Sequence, residues 1–464
     1  MRTLEKLVTP QLELLHRGKV RDSLRVDANT RLIVVTDRIS AFDSVLETPI
    51  PGKGRVLNQL ANFWFEATRD IVPNHVVREV DPCMTLVREA VPIRVEVIVR
   101  AFMAGSMWRG YQKGKRVFSG AAVPDGLTLN GKLPAPIVTP TTKEDSDEEI
   151  TPDGIVEKGL ADRALYARME EIALALFARG SELLCSKGLL LVDTKYEFGL
   201  VDGELVLIDE IHTPDSSRFW EVADYERDPA NATQMDKEYV RQWLITNRDP
   251  KTGAYSRMLP EEVVAETTRR YDDLFARVTE RTVAASVDED APARAYRNLV
   301  REGVIRPGFV AVIMGSPADL PFARKLADGV TAYGIKADVR IVSAHKNGER
   351  ILGMAEEYNN SLEPGVVLAV AGLSNGLGGA LAANLNIPVI SCPPFKDNVD
   401  LLTNVNSSLM MPSGTPAGTV VRPDNAVQLA LRALNLPALR ARIAGEIAEN
   451  KKKLIAADRD ARGW

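Results

Sequence analysis

The sequence is short of the residues that build disulfide frameworks and histidine-rich metal sites. It has only three cysteines and four histidines in 464 residues. Cys83, Cys185 and Cys392 lie far apart and lack metal-ligand spacing, which indicates a reducing compartment without structural disulfides. The histidines are too scattered for a His-rich metal site. They are His16, His75, His212 and His345.

Long apolar runs and a strong charge of either sign are also missing. No run of about eighteen apolar residues occurs, and the N-terminal sequence MRTLEKLVTP lacks the apolar core of a signal peptide. The net charge is −5 at 26% charged residues, which gives no sign of a nucleic-acid or membrane partner. We therefore expect a cytoplasmic protein that binds neither.

One acidic stretch, residues 188–220, places carboxylates among strand-like apolar sequence, GLLLVDTKYEFGLVDGELVLIDEIHTPDSSRFW. It predicts two strands joined near Asp202-Gly203. A three-residue loop from Asp202 to Glu204 would put Glu197 opposite Asp209, whereas a two-residue loop would put them on opposite faces. Adjacent carboxylates need a cation between them, so we expect the three-residue loop and a bound Mg²⁺. A solvated strand face is the alternative.

Other polar residues before residue 285 suit anionic groups. Gly18 and Lys19 form a glycine–cation turn, and Pro49–Gly54 is a second Gly/Lys loop before a predicted helix. Arg100 ends a predicted strand and Ser106 follows six residues later. This combination suits a phosphate or a carboxylate. Ordinary turns and a surface arginine are the alternatives.

Beyond residue 305, buried strands alternate with helices, and three strands end in polar loops at residues 315–316, 343–346 and 374–376. This order predicts a doubly wound, parallel α/β sheet of the flavodoxin/Rossmann-like kind, with ligands at the carboxyl ends of its strands. The acidic, proline-ended segment 284–292 indicates a linker. The predicted domains are residues 1–285 and 305–464, joined by a linker at 286–304.

Taken together, these motifs resemble two enzyme families. Residues 1 to about 285 resemble SAICAR synthetase, an ATP-dependent ligase of purine synthesis, through GKVRD, TDRISAFD, PIPGKG, VRAFMAGS, TPTTK, DTKYEFG and DEIHTPDSSRFW. Residues from about 305 to 440 resemble AIR carboxylase through MGSPAD, SAHK, AGLSNGLGG and PVISCPP. SAHK with SNGLG is similar to the class II enzymes, which use CO2 directly. The domain order resembles the animal-type fusion, whose carboxylase domains assemble an octameric core.

The resemblance implies a first domain with an α+β, ATP-grasp-like fold. It implies that the second domain carboxylates AIR with CO2 to carboxy-AIR (CAIR), and that the first ligates CAIR to L-aspartate with ATP, giving SAICAR. ATP and Mg²⁺ are then required, and the carboxylase needs no organic cofactor. Two alternatives to the carboxylase stay open: the second domain could act as an N5-carboxy-AIR mutase, or it could serve as a non-catalytic oligomerisation scaffold.

The resemblance also implies residue roles. ATP binding falls to Gly18, Lys19, Arg21, Lys195, Glu197 and Asp209, and the last two also bind the metal. CAIR and aspartate binding fall to Arg100, Ser106, Asp147 and Arg218, with Lys143 and Asp215 in catalysis. In the second domain His345 and Lys346 are catalytic. AIR and CO2 binding fall to Gly315, Ser316, Asp319, Ser343, Ser374, Asn375 and Gly376.

Three places depart from the family patterns. The acidic loop at 143–149 is short, and Ser146 stands where a histidine is common. Ala318 replaces a usual serine, which removes one hydrogen bond from the phosphate loop. Leu373 replaces the class II arginine beside the CO2 pocket. We therefore expect either a weaker carboxylase or a cation supplied from elsewhere in the chain.

Overall fold

The structure is a computed structural model that describes residues 2–42, 44–143, 148–282, 290–374 and 376–463. It divides into two compact units, the first made of residues 1–6 and 14–295 and the second of residues 7–13 and 296–464. All three cysteines are free thiols. Within the described ranges, no helix combines the length and the apolar character needed to cross a membrane.

The first unit mixes antiparallel strands with helices, as predicted for an α+β domain. Its strands are β1 (Glu13–Arg17), β2 (Arg21–Arg25), β3 (Thr30–Val35), β4 (Ser40–Ala41), β5 (Ser44–Val45), β6 (Val76–Asp81), β7 (Met84–Arg88), β8 (Val91–Phe102), β9 (Val117–Phe118), β10 (Ala121–Ala122), β11 (Lys132–Val138), β12 (Thr141–Thr142), β13 (Leu189–Val201), β14 (Glu204–Ile208) and β15 (Ser217–Glu221). Its helices are α1 (Lys53–Ala67), α2 (Gly105–Gln112), α3 (Pro152–Glu157), α4 (Arg163–Cys185), α5 (Val222–Arg227), α6 (Glu238–Thr246) and α7 (Glu261–Thr279).

Two sheets organise this unit. One has the order β1-β2-β3-β7-β6, and the other has the order β11-β8-β13-β14, with β12 also pairing with β8 and β15 with β13. The long strands β8 and β13 are antiparallel neighbours. Val95, Val97 and Val99 of β8 enter the core, while Glu96 and Arg100 line a cavity on the other face. Strand alternation therefore aims the polar side chains of β8 at one site.

The acidic hairpin is closed by a two-residue loop, so the predicted three-residue loop is wrong. Glu197 pairs with Ile208 rather than with Asp209. Asp202 and Gly203 have φ angles of 53° and 83°. Two left-handed residues in sequence form the tight hairpin turn whose twist matches that of the strands, which is why Asp-Gly favours it. Strand pairing alone therefore does not bring the two carboxylates together.

The second unit is an α/β domain. Its strands are β16 (Phe309–Met314), β17 (Lys336–Ile341), β18 (Gly365–Val370), β19 (Val389–Ser391) and β20 (Ala417–Thr419). The helices from residue 291 onward are α8 (Ala291–Arg301), α9 (Leu320–Thr331), α10 (Arg350–Asn359), α11 (Gly376–Asn384), α12 (Asn398–Leu409), α13 (Pro423–Leu434) and α14 (Pro437–Ala461). Helix α8 occupies much of the segment expected to be a linker.

All five strands of this unit are parallel, in the order β17-β16-β18-β19-β20. Val310 and Val312 of β16 pack into a core with α9 and α13, and Phe309 and Ile313 pack on the opposite face with α10 and α11. The predicted doubly wound α/β sheet is thereby confirmed, with β20 as a short strand that the sequence did not reveal. Parallel strands place the predicted polar loops at one edge.

Gly54 allows the first turn of α1 to approach the end of β3 closely. A Cβ at Gly54 would lie 2.3 Å from the carbonyl oxygen of Val35. We expect Gly54→Ala to lower the free energy of unfolding of the first unit by about 1–3 kcal/mol, because backbone must move to admit the methyl group. Urea unfolding followed by tryptophan fluorescence measures this, since Trp64, Trp108, Trp220 and Trp243 all belong to that unit.

Gly353→Ala is the control. Gly353 lies in α10 of the second unit, where an added methyl would meet nothing within 4 Å, so urea unfolding of that unit, followed by circular dichroism, should show no loss of stability. Equal stability of Gly54→Ala and the wild type would show that the close approach imposes no constraint.

Candidate active sites

The first unit contains a polar cavity of about 460 Å³ between β8, β13 and the loop before β15. Asp193 and Lys195 project into it from one face of β13, as alternation requires. Its charged lining residues are Lys19, Glu96, Arg100, Asp193, Lys195, Asp215, Arg218, Asp236, Lys237 and Arg241. So many charges in one cavity suit highly charged ligands.

Arg100, Ser106 and Arg218, predicted to act together, line the same cavity. Asp193 fixes both arginines, with its Oδ2 2.6 Å from Arg218 Nη1 and 3.5 Å from Arg100 Nη1. Gly105 has a φ of 59°, and a Cβ there would lie 2.8 Å from the Arg218 guanidinium. Arg218 therefore reaches the start of α2 only because residue 105 is glycine. Two fixed guanidiniums beside a hydroxyl suit a phosphate.

The predicted acidic pair is connected through lysines. Lys143 Nζ contacts the Glu197 carboxylate, and Lys195 Nζ lies 3.5 Å from it. Asp209 follows β14 with a φ of 65°, so its direction is not set by strand alternation, and its Oδ1 lies 3.1 Å from Arg21 Nη1. Burial alone would raise the pKa of Asp209, but Arg21, Lys143 and Lys195 outweigh burial and lower the pKa to about 2.

The carboxylates of Glu197 and Asp209 suit a divalent cation that is also coordinated by the phosphates of a bound substrate. Mg²⁺ is commonly bound through one or two carboxylates together with substrate phosphates. Glu197 and Asp209 supply two carboxylates beside the same lysines. Among the residues that the structure describes, no group of three or more His, Cys, Asp or Glu side chains could hold a metal by itself. Phosphate oxygens would have to complete the coordination.

Asp215 is fixed in a buried network. Its carboxylate lies 2.8 Å from Lys53 Nζ and 4.0 Å from Lys237 Nζ, and it accepts a 3.1 Å hydrogen bond from Tyr271 Oη. The Lys53 side chain is fully buried. Burial would raise the pKa of Asp215, but Lys237 and Lys53 lower it well below its usual range. Asp215 therefore anchors the loop before β15 to α1.

The remaining predicted residues of the first unit lie near the cavity edge or outside the described ranges. Gly18 N–H donates to Arg21 O at 2.7 Å, forming the turn that carries Lys19. Lys19 lines the cavity. Asp147, predicted to bind CAIR or aspartate, lies outside the described residues.

The second unit contains a cavity of about 600 Å³ at the carboxyl edge of its sheet, where the sequence predicted a ligand site. Three loops predicted to meet there all contribute to it. The predicted residues in its lining are Gly315, Ser316, Asp319, Ser343, His345 and Ser374. Burial raises the pKa of Asp319.

His345 lies directly beside Gly376 at this site. A Cβ at Gly376 would lie 3.1 Å from His345 Nε2, so the imidazole rests against a bare backbone. Lys346 is exposed and is absent from the lining. Asn375 lies outside the described residues.

Several lining residues had been given no role from the sequence. In the first cavity, Asp193 could be predicted as a site residue from the sequence, because DTKYE places Asp193, Lys195 and Glu197 on one face of a strand. In the second cavity Lys325 and Lys396 both line the wall. Lys396 follows the fourth strand, whose end the rule for parallel sheets also marks as a ligand site.

Two family models match the chain, one in each unit. The model of SAICAR synthetase matches residues 14–258, and the model of AIR carboxylase matches residues 309–455. The first covers more than half of the chain.

Known proteins resemble the first unit over nearly their whole length. The phosphoribosylaminoimidazole-succinocarboxamide synthase of Cytophaga hutchinsonii is 41% identical over 292 residues, which is 62% of this chain and 94% of that protein. The Bacteroides fragilis enzyme of the same name is 43% identical over 278 residues, 58% of this chain and 88% of that protein. The solved SAICAR synthase of Saccharomyces cerevisiae, complexed with SAICAR, matches with a TM-score of 0.53 at 35% identity, covering 59% of this chain and 97% of that one.

The buried Lys53–Asp215 pair should be a major determinant of stability. Lys53→Met removes the cation and leaves a buried carboxylate poorly compensated, so we expect a loss of about 3–5 kcal/mol in the free energy of unfolding at pH 7. Lys53→Met/Asp215→Leu should recover most of that loss. Urea titration measures all three proteins. Arg69→Met, which breaks the exposed Arg69–Glu66 pair, should change stability little.

The pH dependence has a defined sign. The folded-state pKa of Asp215 is lowered, so the contribution of its carboxylate is complete above the unfolded pKa of about 3.9 and is lost as the pH falls through the folded value. The advantage of the wild type over Lys53→Met should therefore shrink below about pH 4. A constant difference down to acid unfolding would contradict this assignment.

Proposed function

The chain belongs to the SAICAR synthetase family and continues into an AIR carboxylase domain, and from this premise we propose how its two cavities perform two reactions. The chain is a bifunctional enzyme of purine biosynthesis. Its second unit carboxylates AIR to CAIR, and its first unit ligates CAIR to L-aspartate with ATP. The observation that carries the proposal is the pair of cavities, each lined by the matching family's motifs.

In the ligase, Arg100, Ser106 and Arg218 bind the phosphate of CAIR. Asp193 holds both guanidiniums in place, so little side-chain freedom is lost on binding. Lys19, Arg21 and Lys195 serve the phosphates of ATP. These groups supply fixed positive charge, which is most of what phosphoryl transfer requires from a protein.

The ligation then proceeds in two steps. A CAIR carboxylate oxygen attacks the γ-phosphorus, giving an acyl phosphate and ADP. The aspartate amine then attacks the acyl carbon, displaces inorganic phosphate and loses a proton to solvent. Lys143, beside Glu197, neutralises charge on the reacting carboxylate. Mg²⁺ bound to Glu197 and Asp209 would supply further charge neutralisation at the phosphates. Asp215, already paired with Lys53, positions the loop before β15 rather than acting as a base.

In the carboxylase, His345 moves the proton. The C4 carbon of AIR attacks the carbon of CO2, a C–C bond forms, and the C4 proton passes to the imidazole. Histidine suits this step because an imidazole is the side-chain group that most often transfers protons in general acid–base catalysis. Ser316 and Asp319 bind the ribose phosphate end, and Ser343, Ser374 and the loop reaching Gly376 face the new carboxylate.

Leu373 stands where the class II family has an arginine, so this pocket lacks that positive charge. Other elements of the second unit supply cations to it. Lys325 of α9 and Lys396 of the loop after β19 both line the cavity. They support the expectation that the missing charge comes from elsewhere in the chain.

We also propose domain limits near residues 285 and 305, a homo-oligomer built on the second unit, and a cytoplasmic location.

An ATP-free assay tests the carboxylase. With AIR and bicarbonate as the source of CO2, the full-length protein should form CAIR without ATP or aspartate, detected by absorbance and by incorporation of labelled carbon. A protein that forms CAIR only from N5-carboxy-AIR is a mutase. One that forms CAIR from neither substrate, while still ligating CAIR, has a second unit that serves as a scaffold.

Two variants should separate the activities. His345→Asn should lower the carboxylation rate by about 100- to 10,000-fold and leave ligation of supplied CAIR intact. Asp209→Asn should lower ligation by more than tenfold, the change that corresponds to about 1.4 kcal/mol of lost transition-state stabilisation, and leave carboxylation intact. Asp202→Asn, in the turn of the same hairpin, is the control and should retain both. Loss of both activities in either variant would refute the independence of the sites.

A further inference from the structure

Asn404, on helix α12, connects two loops that form the wall of the second cavity. Its side chain is buried, with 4% of the residue exposed. Its Oδ1 accepts a 2.7 Å hydrogen bond from Leu373 N–H, and its Nδ2 donates to Pro394 O at 2.7 Å. Nδ2 also donates to Asp400 Oδ1 at 3.2 Å. Both of its donors are used within the protein, so Asn404 has no donor left for a ligand.

The hydrogen bond to Leu373 supports a strained backbone. Leu373 has a φ of 55°, a left-handed conformation that is sterically unfavourable for a residue with a side chain. Its side chain is 73% exposed, so packing does little to hold it there. A Cβ at Gly372 would lie 3.1 Å from Asn404 Nδ2, so glycine at 372 lets the loop approach the amide closely. The hydrogen bond from Leu373 N–H to the amide oxygen of Asn404 therefore supports this turn.

The same turn leads directly to the residues that face His345. Ser374 follows Leu373, and Gly376 N–H donates to Ser374 O at 2.9 Å. Gly376 in turn lies against the imidazole, since a Cβ added at Gly376 would be 3.1 Å from His345 Nε2. A change in the backbone at Leu373 would therefore move the wall opposite the proton-transfer group.

We propose that Asn404 is a positioning residue of the carboxylase. It holds Leu373 in the left-handed conformation and thereby sets Ser374 and Gly376 at their distance from His345. This inference rests on the proposed AIR carboxylation for its kinetic consequence, while its structural consequence is independent of any activity.

The kinetic test uses the full-length protein and two substitutions. Asn404→Ala should lower kcat for CO2-dependent carboxylation by about 100-fold, the scale of a misplacement of about 1 Å, with a smaller change in KM. Glycine adopts positive φ without a steric cost, so Leu373→Gly combined with Asn404→Ala should recover most of kcat. Leu373→Gly alone should lower kcat far less than Asn404→Ala does. Failure of the glycine to restore any activity would overturn the proposal.

Asn359→Ala is the matched control. Asn359 also bridges two backbone segments, accepting from Asn386 N–H at 2.8 Å and donating to Asn384 O at 2.9 Å, but it is absent from the cavity lining. It should retain kcat even if its thermal stability falls. An equal loss of kcat in Asn359→Ala would mean that general destabilisation explains the effect, and the proposal would fail.

Hydrogen exchange gives a readout that needs no substrate. In Asn404→Ala the amide of Leu373 should exchange faster than in the wild type, while amides of β18 keep their protection. Unchanged exchange at Leu373 would overturn the proposal whatever the kinetics. If the wild type forms no CAIR but the exchange result is as expected, the proposed carboxylation fails and the role of Asn404 in holding the loop stands.

Discussion

Burying a charge requires an opposite charge beside it, and this constraint shapes the first unit. Asp193 is held between Arg100 and Arg218, Asp215 beside Lys53, and Asp209 beside Arg21. Each pair joins elements that are distant in the sequence. The sheets, helix α1 and the loop before β15 therefore have to assemble together, because each carries a charge that another must neutralise. The resulting cavity is charged, and several of its charges are paired within the protein.

Strand alternation made much of this site predictable. Its sequence context assigns Arg100 at the end of β8 to an anionic ligand, the family resemblance assigns Lys195 on β13 to ATP, and both line the cavity. The parallel sheet of the second unit was predictable for a similar reason, since buried strands ending in polar loops are typical of that fold. Periodicity is a local property, so it can be read from a sequence without knowledge of distant partners.

The errors came from features that periodicity does not encode. The two-residue loop of the hairpin depends on left-handed φ angles at Asp202 and Gly203. Asp209 also has a left-handed φ, so the alternation of side chains along a strand does not set its direction. Lys53 and Asp215 are separated by 162 residues, and no local pattern identifies them as partners. Asn404 and Leu373 are 31 residues apart, also too far for a local pattern to pair them. Long-range pairs and single dihedral angles thus set the details of both sites.

The two cavities differ in charge in the way that the two proposed reactions require. The proposed phosphoryl transfer gathers several anionic groups, and the first cavity offers cations on β8, β13 and β15. CO2 is neutral until it reacts. Many charged side chains in its pocket would bind water but would not attract CO2. The second cavity is lined largely by glycine, serine, alanine and proline, with Lys325 and Lys396 among its few cations. A site with few charges must depend on the shape of its backbone, and for that reason a single buried amide can govern the wall facing His345.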